Sequence, residues 1–256
     1  MTTARTILIT GSGGGLGSGM ASYLAERGHA IVATDLSREA TDDLVARIQA
    51  RGGRAAGFAL DVTSSKSVQE LVETLGDRPV DVVINNAGLQ HVAGVEEFPE
   101  EKWDLLIRVM VNGPFLLSRA FLPGMRARGF GRLVHIGSIH SLVASPYKSA
   151  YTAAKHALVG LSKVLALETA GTDITSNTIC PAYVRTPLVE AQIAAQARTR
   201  GIPEEDVIQK IMLAPMPKQT FITVEEVAAA VEYLMSPLAR NITGQTLTID
   251  GGWTCQ

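Results

Sequence analysis

The sequence predicts one α/β domain: a doubly wound parallel sheet of about seven strands, with helices on both faces and a small helical lid. Two observations carry this. Short, fully apolar runs alternate with helical patterns from one end of the chain to the other, as strands buried on both faces require. The first of these runs, Thr6–Thr10, leads through a glycine-rich turn straight into a helical pattern. At 256 residues the chain is of a size at which α/β folds are routinely single domains. Hydrophobic residues make up 46% and charged residues 19%, enough for a large core. The expected organisation is a single unit over 1–256, with 187–214 as a lid over its cleft.

Taken in order, Thr6–Thr10 reads as a buried strand. Gly11-Ser12-Gly13-Gly14-Gly15-Leu16-Gly17 follows, then a helical pattern through Met20, Leu24 and Arg27. Strand, glycine turn and helix make a cradle for a pyrophosphate. Glycine lets the backbone approach closely, and the helix start offers unpaired N–H groups. A flexible glycine loop is the alternative, but its place between strand and helix favours a dinucleotide site. Ala30–Thr34 is the second strand, closed by Asp35. A carboxylate there accepts from both ribose hydroxyls of NAD and repels the 2′-phosphate of NADP. Arg38 nearby is the opposing feature, and an ordinary turn aspartate is the other reading.

A helix is expected from Arg38 to Arg51, ending at Gly52-Gly53, and a strand at Phe58–Leu60. Asp61-Val62 at that strand's end is placed to reach an adenine, and Ser64 reads as an N-cap. Val80–Ile84 is the fourth strand, ending in Asn85-Asn86-Ala87-Gly88, whose amides can bond strand edges. Helical patterns cover 100–111 and 114–128. Asn112 lies between them, and a buried Asn there can distort the helix and present a carbonyl to water near Lys155. Gly131–Gly137 is the fifth strand, followed by a helix to about Ala170. Ile174–Ile179 is a sixth strand, and Thr186-Pro187 reads as a helix start. Two short helices, 188–198 and 204–213, form the lid. A helix at Val224–Met235 and a closing strand at Thr246–Ile249 complete the chain.

The stretch from Ser138 to Lys155 carries the chemistry. Residues four apart on a helix share a face, so Tyr151 and Lys155 are neighbours. A free tyrosine titrates near ~10, and an ammonium beside it favours the phenolate. The pair is then an acid/base for a hydroxyl or carbonyl oxygen. Ser138, at the end of the fifth strand, can hydrogen-bond the same oxygen. A surface Tyr and Lys is the alternative for this pair taken alone.

Composition narrows the partners. The net charge is −2 with no basic block, which argues against nucleic acid. Two cysteines, Cys180 and Cys255, make no disulfide framework, and no Cys/His spacing suggests zinc. No run reads as a leader or a bilayer span, so a cytoplasmic protein without a membrane partner is expected.

Together these motifs resemble the short-chain dehydrogenase/reductase family over nearly the whole chain. The resemblance rests on Thr10-Gly11-x-x-x-Gly15-x-Gly17, Asn85-Asn86-Ala87-Gly88, Asn112, Ser138 and Tyr151-x-x-x-Lys155. It implies a Rossmann-type fold, Tyr151 as acid/base and Ser138 as the group positioning the substrate oxygen. It further implies Lys155 on the nicotinamide ribose and Asn112 as anchor of a water relay. Pro181, Val184 and Thr186 join the cofactor residues Gly11, Ser12, Gly15, Leu16, Gly17, Asp35, Asp61, Val62 and Asn86 by the same resemblance. Pro181-Ala182 departs from the family's usual Pro-Gly.

A narrower resemblance is to bacterial D-3-hydroxybutyrate dehydrogenases. It is carried by Gln90-His91, Phe98–Trp103, Leu142–Ser145, Leu167–Gly171, Val184–Glu190 and Gly251-Gly-Trp253. It implies a carboxylate held by Gln90, His140, Lys148 and Gln192, with Trp253 packing nearby. The expected reaction is oxidation of D-3-hydroxybutyrate to acetoacetate with NAD, in a homotetramer assembled through 100–128 and 150–170. The alternatives are a 3-oxoacyl-thioester reductase or polyol dehydrogenase of the same family and, more remotely, a non-catalytic nucleotide sensor.

Overall fold

The computed structural model describes residues 4–255, apart from the side chains of Leu188, Ala191, Ala195 and Thr199. Residues 1–3 and 256 lie outside the described residues. The elements run β1 (Thr6–Thr10), α1 (Gly15–Glu26), β2 (Ala30–Asp35), α2 (Asp42–Ala50), β3 (Arg54–Ala59), α3 (Ser65–Leu75) and β4 (Val82–Asn85). Then come α4 (Glu100–Ile107), α5 (Gly113–Arg128), β5 (Gly131–Ile136), α6 (Ser149–Glu168) and β6 (Ile174–Pro181). The chain closes with α7 (Pro187–Arg200), α8 (Glu204–Val207), α9 (Val224–Met235) and β7 (Thr246–Ile249). The seven strands form one sheet in the order β3-β2-β1-β4-β5-β6-β7, and every neighbouring pair is parallel.

Strand periodicity sorts the core into two layers, because successive side chains point to opposite faces. Ile7 and Ile9 of β1, Val82 and Ile84 of β4, and Val134 and Ile136 of β5 pack with α1, α2 and α9. Leu8, Val83 and Leu133, one residue out of step, pack on the other face with α3, α4, α5 and α6. Register is thereby strongly specified, since a one-residue slip would exchange the layers. A third, smaller cluster of Val189, Ile193, Val207 and Met212 holds the lid helices together.

Several boundaries differ from the sequence reading. The helix expected at Arg38 starts with a 3₁₀ turn at Glu39–Thr41. The patterns at 100–111 and 114–128 are one continuous helical segment, α4 and α5 joined by a π turn at Arg108–Asn112. Joined, Glu100–Arg128 spans 29 residues and is long and apolar enough to cross a membrane by length and composition alone. That corrects the sequence reading, although half of its apolar window is buried in the protein. Ser64 caps α3 as expected, accepting from the Ser67 N–H. Thr186 precedes α7 in extended conformation but makes no side-chain cap.

The chain order reverses between β3 and β4, which lie on opposite sides of β1 and beyond. Open α/β sheets bind ligands at the carboxyl ends of strands flanking such a switch point. The turn after β1 and the Asn-Asn-Ala-Gly turn after β4 meet there.

Candidate active site

A cleft of about 520 Å³ opens at the carboxyl ends of the strands, and nearly every residue singled out from sequence lines it. At one end are Asp35, Asp61 and Val62; in the middle Gly11, Gly15, Leu16 and Asn86; at the other end Ser138, Tyr151 and Lys155 with Pro181, Val184 and Thr186. Gln90, His140, Lys148 and Gln192 line the same end.

The dinucleotide end is held by backbone groups. Gly11 and Gly15 take left-handed φ values of 62° and 54°, which side chains rarely adopt. Asn86 Nδ2 donates to the carbonyls of Thr10 and Gly11, at 2.9 and 3.0 Å, and thus ties the two turns together. Asp35 Oδ2 accepts from the Gly13 N–H at 2.9 Å. Gly14 and Gly15 border the cleft with open space where a Cβ would stand. This bare backbone at the start of α1 fits a dinucleotide's phosphates.

Two glycine-loop assignments are corrected. Ser12 is fully buried and its hydroxyl donates to the Thr34 carbonyl, so it fixes the loop to β2 and does not face the cleft. Gly17 is also turned away; a Cβ there would run into the Gly11 carbonyl oxygen, so its role is close packing of α1 against the loop.

At the reacting end, β5 delivers Ser138 as the cap of a short 3₁₀ turn, Ile139–Ser141. The His140 N–H donates to Ser138 Oγ at 3.2 Å, and the Ser138 N–H donates to Ser141 Oγ at 3.2 Å, which fixes the serine. Tyr147 has φ of 67°, an unfavourable conformation for a non-glycine residue. Lys148 follows at the head of α6 and enters the cleft. Tyr151 and Lys155 then stand one turn apart, with Lys155 Nζ 5.5 Å from the phenol ring centre. Lys155 is buried, and its Nζ donates to the Ile136 carbonyl at 2.7 Å. Burial lowers its pKa to about 8.

The expectation that Lys155 pulls the tyrosine down does not hold in the protein alone. Burial dominates and pushes the Tyr151 phenol above its ordinary value, with a Ser138 hydrogen bond opposing it. Desolvation of the phenolate outweighs the Ser138 hydrogen bond, and the Lys155 ammonium is itself committed to a carbonyl.

His140 is buried, and desolvation, with the Lys148 charge second, lowers its pKa to about 4. Its ring meets Tyr151 edge-on, with centres 6.1 Å apart, and Trp253 in the same way, also at 6.1 Å. Trp253 does not line the cleft itself; it backs the wall. Asn112 is a further correction. It ends the π turn, as a helix distortion at this position predicts, but its side chain is exposed and it does not border the cleft.

The sequence reading passed over Tyr183. It lines the cleft two residues beyond Pro181 and stacks on Trp253, with centres 6.1 Å apart and planes 29° apart. An aromatic residue just past a strand's carboxyl end was the available signal. Ala182 also borders the cleft, its N–H donating to the Ile249 carbonyl at 2.9 Å.

Comparison with known proteins agrees with this geometry. Residues 11–254 match the family model described as enoyl-(acyl carrier protein) reductase. The chain is 44% identical to a D-beta-hydroxybutyrate dehydrogenase of Rhizobium meliloti, over 98% of this chain and 99% of that protein. It is 40% identical to the enzyme of the same name from Cupriavidus necator, over the whole of both chains. A 3-oxoacyl-(acyl-carrier-protein) reductase of Thermotoga maritima is 30% identical over 97% of each. Among solved structures, a putative NAD(P) dependent gluconate 5-dehydrogenase from Beutenbergia cavernae with bound NADP superposes with a TM-score of 0.89. It is 32% identical, over 100% of this chain and 99% of that one. The chain is an oxidoreductase with a nicotinamide dinucleotide cofactor, and it belongs to the short-chain dehydrogenase/reductase family.

Proposed function

We propose that the chain oxidises D-3-hydroxybutyrate to acetoacetate, reversibly, with NAD. The observation that carries the reading is Lys148 in the cleft wall, 3.3 Å from His140, whose ring in turn meets Tyr151. A cationic anchor and an acid/base on either side of one imidazole suit a small substrate with a carboxylate at one end and a hydroxyl near the other. Gln90, in the loop after β4, and Gln192, on α7, add amide donors to the cleft. The names of the Rhizobium and Cupriavidus relatives support the same substrate.

In the oxidation, the substrate hydroxyl hydrogen-bonds Ser138 and Tyr151, and Tyr151 takes its proton. NAD, when bound, would supply the acceptor for the hydride from C3. Below about pH 8 Lys155 is cationic and stabilises the phenolate that this proton transfer requires. Lys155 would also hold the nicotinamide ribose of the bound cofactor. The segment 187–214, carrying Gln192, closes on the carboxylate and excludes water.

Asp35 supports NAD over NADP, since its carboxylate borders the cleft where a 2′-phosphate would add like charge. Exposed Phe115, Val164 and Leu167 on α5 and α6 support a homotetramer built through these helices. A second reading, an NADPH-dependent 3-oxoacyl-thioester reductase or a polyol dehydrogenase, draws on the more distant relatives. Asp35 weighs against NADPH, and Lys148 against an uncharged substrate.

The test is cofactor reduction by purified protein with NAD and a panel of D-3-hydroxybutyrate, its L enantiomer and threitol, beside NADPH oxidation with a 3-oxoacyl thioester. The D hydroxy acid with NAD is expected to give the highest kcat/KM. Turnover confined to the thioester or the polyol overturns the proposal.

A further inference from the structure

Tyr183 joins the main core, the lid cluster and the cleft wall. The chain after β6 is pinned to the stretch before α9: the Ile222 N–H donates to the Tyr183 carbonyl at 2.9 Å, and the Arg185 N–H to the Ile222 carbonyl at 3.0 Å. The Tyr183 side chain packs against the main core and also against the lid cluster of Val189, Ile193, Val207 and Met212. Trp253 stacks on the ring and is itself held by Asp250, which accepts from the N–H groups of Gly252 and Thr254. The ring is therefore fixed in position while one side borders the cleft.

Lys148 needs such a support. Lysine is a point charge on a flexible four-carbon stem. Among the described residues no carboxylate pairs with it. Its contacts are His140 Nε2 at 3.3 Å and the Tyr183 ring, whose centre lies 5.6 Å from Nζ. A neutral imidazole nitrogen takes one of the three N–H groups. The ring distance is within the ~6 Å at which an ammonium is attracted to an aromatic face, an attraction that strengthens with desolvation.

We propose that Tyr183 is the positioning residue for Lys148, its ring face holding the ammonium at His140 and tying that position to the seating of the lid. The inference rests on the reading of Lys148 as the carboxylate's partner. Tyr183 acts through Lys148 and takes no part in proton transfer. It makes recognition of an acidic substrate depend on an aromatic face at position 183.

The experiment measures kcat/KM for 3-hydroxybutyrate and for its methyl ester and follows their ratio. Tyr183→Leu is expected to lower the acid-to-ester ratio by about five- to tenfold, chiefly through KM for the acid. Tyr183→Phe, which keeps the ring, recovers most of that loss. In a Lys148→Ala background, Tyr183→Leu leaves the ratio where Lys148→Ala has put it. Should the leucine variant not fold, Tyr183→Met keeps apolar volume against Trp253 without a ring and carries the same expectation. A purely structural role lowers both substrates together, so an unmoved ratio in folded Tyr183→Leu or Tyr183→Met overturns the inference alone. A wild-type ratio near one removes the reading of Lys148 and this inference with it.

Discussion

Lys148 Nζ lies 3.3 Å from His140 Nε2, and lysine has only hydrogens to offer. The imidazole therefore accepts at Nε2 and carries its proton on Nδ1, which is buried and has no hydrogen-bond partner among the described residues. Burial, reinforced by the Lys148 charge, keeps His140 neutral at ordinary pH. With one N–H taken by His140, Lys148 keeps two for an anionic group on the wall beside Tyr151.

Removing the cation should show in substrate affinity. Lys148→Ala is expected to lower kcat/KM for 3-hydroxybutyrate by about a hundredfold, mostly through KM, because the carboxylate is left desolvated without its partner. Lys148→Arg should recover only part, since a planar fork does not replace a compact ammonium. Steady-state kinetics of the three proteins check this.

Tyr151→Phe removes one oxygen and little else. The expected result is a loss of about a thousandfold in kcat, within the range for a positioned acid/base, with NADH binding retained. Quenching of protein fluorescence by NADH measures the second quantity. Near-normal turnover by the folded variant rules Tyr151 out as the acid/base.

Asp35 has two tasks that substitution can separate. Its Oδ2 accepts from the Gly13 N–H and its charge faces the cleft. Asp35→Asn keeps an acceptor for Gly13 and removes the charge. The ratio of kcat/KM for NAD to that for NADP should fall by about tenfold or more, largely through better use of NADP. An unchanged ratio means Asp35 serves the loop alone.

The stability of the protein should weaken in acid through His135. This residue is fully buried between Asn85 and Ser176, at 3.1 and 3.2 Å. Burial, with the Lys155 charge second, lowers its pKa to about 3. Between about 3 and the ordinary 6.5 the unfolded chain binds a proton that the folded one does not, so stability falls as pH drops through that window. One such group costs roughly 2 kcal/mol between pH 7 and pH 5. His140, lowered to about 4, acts in the same direction. Urea unfolding at both pH values should show a smaller drop for His135→Asn than for wild type, even if the variant starts less stable.

The legibility of the chain followed the physics of each feature. β1, α9 and β7 were bounded correctly because apolar runs and caps are local signals. The glycine turn, Ser138 and the Tyr151–Lys155 pair were found because their spacing within one or two elements fixes their geometry. The π turn was missed as an element because it leaves the sequence period of α4 and α5 nearly intact. Ser12 and Gly17 were misplaced because which face of a tight turn meets the cleft depends on the partner strand and helix. Asn112 was expected buried because an interrupting polar residue was read as inward-facing, whereas it lies on the exposed side. Tyr183 could not be connected to Lys148, Trp253 and the lid from sequence, since those contacts are made only after the sheet is assembled.

The central claim is that one cleft both reads a carboxylate and oxidises the neighbouring hydroxyl. The direct measurement is kcat/KM with NAD for D-3-hydroxybutyrate and for its methyl ester, at fixed ionic strength. A buried donor left unpaired costs about 1–3 kcal/mol, and the ester deprives several at once. The acid should be preferred by about a hundredfold or more. Equal kcat/KM for acid and ester would contradict the claim, leaving an alcohol dehydrogenase of this family with no carboxylate site.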